Sequence, residues 1–123
     1  MIENSTGESP VVDWLTVPEV GERLGLNVSR VHQLLRDGQL IAVRRDGVLR
    51  IPADLIHHDA DGRPAVVKHL PGVLTLLRDA RFTDEEMLGW LYEADDSLPG
   101  TPVAALRENR GTEVKRRAQA AGF

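Results

Sequence analysis

The chain contains no cysteine. Disulfide frameworks, thiolate metal sites and cysteine nucleophiles are therefore excluded. Aromatic residues make up 4% of the 123 positions, so the core must rest on Leu, Val, Ile and Ala. No apolar run approaches the roughly 20 residues needed to span a bilayer. The opening MIENSTGESP has neither the basic nor the apolar stretch of a signal peptide, and a cytoplasmic protein without membrane contact is expected. GxSxG, HExxH and phosphate-cradling glycine loops are missing as well. The histidine pair His57-His58 sits in an Asp-rich segment but has no third ligand at a fixed spacing. Asp84-Glu85-Glu86 is accounted for by its place in a first helical turn. No enzyme activity, metal or cofactor is expected.

The formal net charge is −4, which argues against generic nucleic-acid affinity. Its distribution says more. The first 15 residues carry only acids (Glu3, Glu8, Asp13), and residues 59–123 hold nine bases against eleven acids. Between Asn27 and Pro52, five arginines (Arg30, Arg36, Arg44, Arg45, Arg50) face only Asp37 and Asp46. A local +3 thus stands inside an acidic protein.

Residues 1–12 are polar and aperiodic, and a disordered tail is expected there. Ser5, Thr6 and Ser9 stand among its acids as candidate phosphate acceptors, the alternative being an ordinary frayed terminus. Thr16-Val17-Pro18-Glu19 has the form of a capping box with proline in the first turn. Val17, Val20 and Leu24 then recur at helical spacing up to a glycine stop, Gly25, with Trp14 and Leu15 ahead as a staple. Asn27 is the expected N-cap of a second helix whose apolar stripe is Val28, Val31, Leu34 and Leu35. Gly38 ends it. Leu40 to Arg45 and Val48 to Pro52 then read as strands around Asp46-Gly47, a type I′ hairpin signal that pairs Arg45 with Val48 and Val43 with Arg50. Leu40, Ala42, Leu49 and Ile51 form the packing face, Arg45 and Arg50 the other, and Arg44 sits near the tip.

The polar segment HHDADGRP is expected as a loop, dividing a winged helix-turn-helix over 13–58 from a helical region over 59–123. Val66-Val67 suggests a short strand. Helices follow after Pro71, after the capping box Thr83 to Glu86, after Thr101-Pro102, and from Thr112 to Ala121. The fold class is mainly α with a small β-hairpin wing: a winged helix-turn-helix plus a C-terminal helical region.

The major groove of B-DNA, about 12 Å wide, admits one helix, and helix-turn-helix proteins present the start of their second helix to base edges. Ser29, Arg30 and Gln33 hold that place here, with His32 at the flank and Arg36 one turn on. Arginine suits guanine and glutamine suits adenine. Arg44, Arg45 and Arg50 on the hairpin suit phosphate contacts, which position rather than specify. A transcriptional regulator or nucleoid-associated factor on double-stranded DNA is the expected function. No heptad seam is present, so a monomer or weak homodimer is expected.

LTVPEVGERLGLNVSRVHQLLRDGQLIAVRRDGVLRIPADLI resembles the excisionase and MerR-type winged helix-turn-helix, in which the DG…AVRR…RIP pattern forms the wing. The wider chain, with VKHLPGVLTLLRDARFTDEEMLGWLY and VKRRAQAAGF, resembles an actinobacterial DNA-binding family whose mycobacterial member is a Ser/Thr protein kinase substrate. That resemblance implies a kinase as partner and a site in the N-terminal tail, with Thr6 the nearest candidate. MLGWLYEADDSLPGTPVAALRENRGTEVKRRAQA is similar to the toxin-binding region of some Xre-type antitoxins. The alternative it implies is a protein-interaction module whose C-terminal helices bind a partner protein.

Overall fold

The computed structural model describes residues 11, 13–95 and 97–122. Thr6 and the rest of the tail through Pro10 lie outside the described residues. Helix α1 (Val17–Leu24) begins at the expected capping box: Glu19 N–H donates to Thr16 Oγ1 at 3.3 Å, and Thr16 N–H donates to Glu19 Oε1 at 2.8 Å. Gly25 closes it in the left-handed region. Three residues, Gly25 to Asn27, turn the chain into helix α2 (Val28–Arg36), and Asn27 Oδ1 accepts the Arg30 N–H at 2.9 Å. At its far end the Gln39 N–H donates to Leu34 O and the Gly38 N–H to Leu35 O, a Schellman pair that requires the positive φ of Gly38.

The wing has the expected register. Strands β2 (Val43–Arg45) and β3 (Val48–Pro52) pair Val43 with Arg50 and Arg45 with Val48, around Asp46 and Gly47 at φ 52° and 78°. Residues 40–42, expected as strand, stay outside it, although Leu40 and Ile41 are buried. Trp14 and Leu15 do more than staple α1. They form a two-residue strand, β1 (Trp14–Leu15), on the free edge of β3, giving a three-stranded antiparallel sheet in the order β1-β3-β2. Covering that edge satisfies backbone groups that would otherwise invite another chain.

A short 3-10 turn, Ala53–Leu55, leads into β4 (Ile56–His58), which pairs with β5 (Pro64–Val66). The segment expected as a plain loop is therefore a second hairpin. Asp59 builds it: its Oδ1 accepts the backbone N–H groups of Asp61 and Arg63, while Asp59 N–H donates to Arg63 O. Three-residue strands, Ile56-His57-His58 and Pro64-Ala65-Val66, are too short to show an alternating apolar pattern that would announce them.

Four helices complete the chain: α3 (Leu70–Asp79), α4 (Asp84–Leu91), α5 (Pro102–Arg107) and α6 (Gly111–Ala120). Thr83 and Glu86 form the second capping box. The His69 ring, ahead of Pro71, lies against Gly111 where any side chain would collide, and it makes no cap hydrogen bond. The core is one cluster. Leu15, Val20, Val31, Ile51 and Leu55 of the winged helix are continuous with Leu70, Leu74, Leu77, Leu91 and Val114 of the helical region. Each such aliphatic side chain contributes about 1.5–3 kcal/mol relative to exposure, so the two parts stabilise each other. Among the described residues no polar or charged side chain is buried, and no helix is long and apolar enough to cross a membrane.

Candidate nucleic-acid interface

Helix α2 presents Ser29, Arg30, Gln33 and Arg36 as exposed side chains, with His32 half-buried at the flank. Arg30 makes no side-chain hydrogen bond or ion pair among the described residues. Gln33 and Arg36 are organised differently. Gln33 Nε2 donates to Asp37 Oδ1 at 2.9 Å, and Arg36 Nη2 donates to Gln33 Oε1 at 2.9 Å. This relay holds the Gln33 amide side-on along the helix, and a bidentate contact from Gln33 would have to open both bonds.

Val28 departs from the expected stripe. It is 45% exposed, whereas Val31 is fully buried. The cause is where the two helices cross. A methyl group on Gly21 would lie 3.6 Å from Val31 Cγ2 and 2.6 Å from the Leu26 carbonyl oxygen, so α1 meets α2 one turn beyond Val28. Gly21 also explains how tightly the turn closes, since nothing larger fits beneath Leu26. Sequence reasoning passed over Gly21, which carries no local signal inside an amphipathic helix.

On the wing the three arginines part company. Arg44 is exposed and its Nη1 donates to Gly47 O at 3.1 Å, leaving it without a carboxylate. Arg45 is half-buried: Nη1 reaches Glu85 Oε2 at 2.7 Å, and the guanidinium lies 5.3 Å above the Trp14 ring. The hydrogen bond to Glu85 raises the Arg45 pKa above its ordinary value. Arg50 stands near Glu19, whose carboxyl is held below the usual range first by hydrogen bonds from Thr16 and then by Arg50 and Arg23. Glu85 was legible only as a first-turn acid of α4; its partner is 40 residues away.

Between α2 and the wing runs a cleft of about 280 Å³. His32 and Arg36 line it from α2 and Leu49 from β3, while Arg78 of α3 and Asp84 of α4 close it from the helical region. Of the sequence-predicted residues, His32 and Arg36 line this cleft, while Arg45 turns toward Glu85 of α4. His57 and His58 lie apart on β4, and no group of three or more His, Asp or Glu is placed to hold a metal ion among the described residues.

This arrangement has known counterparts. The chain is 41% identical over 119 residues to the protein named DNA-binding protein Rv2175c of Mycobacterium tuberculosis, a match covering 87% of this chain and 79% of that one. The chain belongs to the Rv2175c family. Residues 9–56 match the family described as DNA-binding protein Rv2175c, wHTH domain, and residues 67–122 match the Rv2175c C-terminal domain of unknown function. The NMR structure of Rv2175c superposes with a TM-score of 0.80 at 39% identity, covering 94% of this chain and 85% of that one. An excisionase of Streptomyces ambofaciens is 43% identical over 44 residues, which is 36% of this chain and 71% of that protein. Both the winged helix and the helical region are therefore shared with Rv2175c.

Proposed function

We propose that this protein binds double-stranded DNA, as a transcriptional regulator or nucleoid-associated factor, with α2 in the major groove and the wing along the backbone. One observation carries the reading. The capped start of α2 exposes Ser29, Arg30 and Gln33 beside a hairpin that holds Arg44 near its tip with no ion pair among the described residues. Base edges are read by the first turns of such a helix, and a nearby guanidinium suits phosphate. The names of both relatives, a DNA-binding protein and an excisionase, support the same reading.

With a net charge of −4, undirected attraction to DNA is weak, so affinity depends on a few placed side chains. Arg30 is the primary base-reading residue. Arg44 contacts phosphate, with His32, Arg36 and Arg50 along the flanks of the groove. Titration of duplex DNA by fluorescence anisotropy at several salt concentrations tests this with wild type, Arg30→Ala and the double variant Arg44→Ala with Arg45→Ala. Affinity should fall with salt and fall again in each variant. Binding that ignores both salt and substitution would show that this surface is not the one used.

A further inference from the structure

Arg78 belongs to α3, inside the region matched to a C-terminal domain of unknown function, yet its guanidinium lies over the end of the proposed recognition helix. A methyl group on Gly38 would sit 2.5 Å from Arg78 Nη1 and 3.3 Å from its Cζ. Glycine at this position serves twice: it adopts φ 74° to end α2, and it leaves room for the arginine. The Arg78 side chain is exposed and makes no hydrogen bond or ion pair among the described residues. It lines the cleft between α2 and the wing together with His32 and Arg36. The stem of its helix is fixed from beneath, because Leu70, Val73, Leu74 and Leu77 are fully buried.

We infer that Arg78 contacts a DNA phosphate, so that α3 completes the interface begun by α2 and the wing. This rests on the DNA-binding reading above. A helix lying in the major groove is flanked by two phosphate ribbons, and a cation beside its C-terminal end faces one of them. Arg36 and Arg78 share that end, and a guanidinium pair matches the geometry of phosphate oxygens. The helical region thereby both removes and supplies charge: Glu85 pairs with Arg45, and α3 places Arg78 in the cleft. The acids that face Arg78 do not neutralise it. Asp84 lines the same cleft without an ion pair, and Asp37 accepts from Gln33. Attraction of Arg78 to the carbonyl end of α2 is the purely structural role it would otherwise have.

The two roles separate on salt dependence. The full chain is titrated with two unrelated duplexes of about 20 base pairs between roughly 50 and 200 mM salt, as wild type, Arg78→Ala and Arg78→Lys. A phosphate contact predicts that Arg78→Ala weakens both duplexes equally, about three- to tenfold at the low-salt end, and lowers the slope of log affinity against log salt by about one. Arg78→Lys keeps the charge and should recover most of the affinity. Thermal midpoints of the three proteins should agree within a few degrees. Wild-type affinity and slope in Arg78→Ala, while Arg30→Ala still loses binding, would overturn the inference and leave the DNA-binding reading intact. A loss confined to one duplex, or a loss with unchanged slope and a lowered midpoint, would assign Arg78 to holding α2 in place. Wild type that binds neither duplex would remove both readings together.

Discussion

Helix α2 and the wing both carry arginines, but they hold them differently. On α2, Arg30 and Arg36 have no carboxylate partner among the described residues. On the wing, Arg45 is clamped by Glu85, whereas Arg44 and Arg50 have no ion pair among the described residues. Glu85 comes from a capping-box helix, α4, whose first turn favours negative charge for reasons internal to the helix. Charge counted along the sequence gives this stretch a surplus of three, yet the share of Arg45 is already engaged. The difference makes α2 the reading element and the wing a modest clamp.

The largest expected effect follows from that contrast. Arg30→Ala removes the one α2 side chain that is both free and at the third helical position, where base edges are reached. A bidentate guanine contact is worth about 1–3 kcal/mol, so the best duplex should bind about 10- to 100-fold more weakly. Binding to a panel of singly substituted duplexes should show the discrimination at one base pair collapsing while the rest persists. A uniform loss across the panel would move Arg30 from reading to positioning, and the contrast with the wing would disappear.

Much of this surface follows from short-range rules, and the parts that do not share a cause. Both capping boxes, the Asn27 cap, the Gly38 stop and the Asp46-Gly47 hairpin are relations between residues at most four or five apart, and each is where the pattern places it. Strand β1 was hidden because it is two residues long and its partner, β3, lies more than thirty residues on. Val28 looked like core because periodicity gives the face of a helix but not where along it the neighbour crosses. The Arg45–Glu85 pair and the Arg78–Gly38 contact each join residues 40 apart. Nothing in the local pattern marks either, since Glu85 is already explained by its helix and Arg78 reads as an ordinary exposed position. The missing information is tertiary, and it decides which arginines remain available.

A middle-sized effect separates the adjacent wing arginines. Arg44→Ala should weaken all duplexes about three- to tenfold and reduce the salt slope by about one, as expected for a lost phosphate contact. Arg45→Ala should cost less than half as much in affinity, because its charge is spent on Glu85 and its plane on Trp14. The comparison fails if the two variants are equal, and it inverts if Arg45→Ala is the worse binder.

The smallest effect is also the most discriminating. Glu85→Gln removes the acid while keeping the side-chain volume. Arg45 and Glu85 are 39% and 59% exposed, so their pair contributes at most about 1 kcal/mol to stability, and the variant should unfold within a few degrees of wild type. Released from the carboxylate, Arg45 keeps its place above Trp14 but regains an unneutralised charge beside Arg44. Duplex affinity should then rise about two- to threefold at low salt, an increment that vanishes as screening lengths shorten. In the Glu85→Gln background, Arg45→Ala should cost more than it does in wild type, and the coupling between the two substitutions measures what the acid withholds. Additive effects would mean that Glu85 does not restrain the wing. Arg44 and Arg45 would then have to be treated as one clamp, and the distinction between a free helix and a restrained hairpin would disappear.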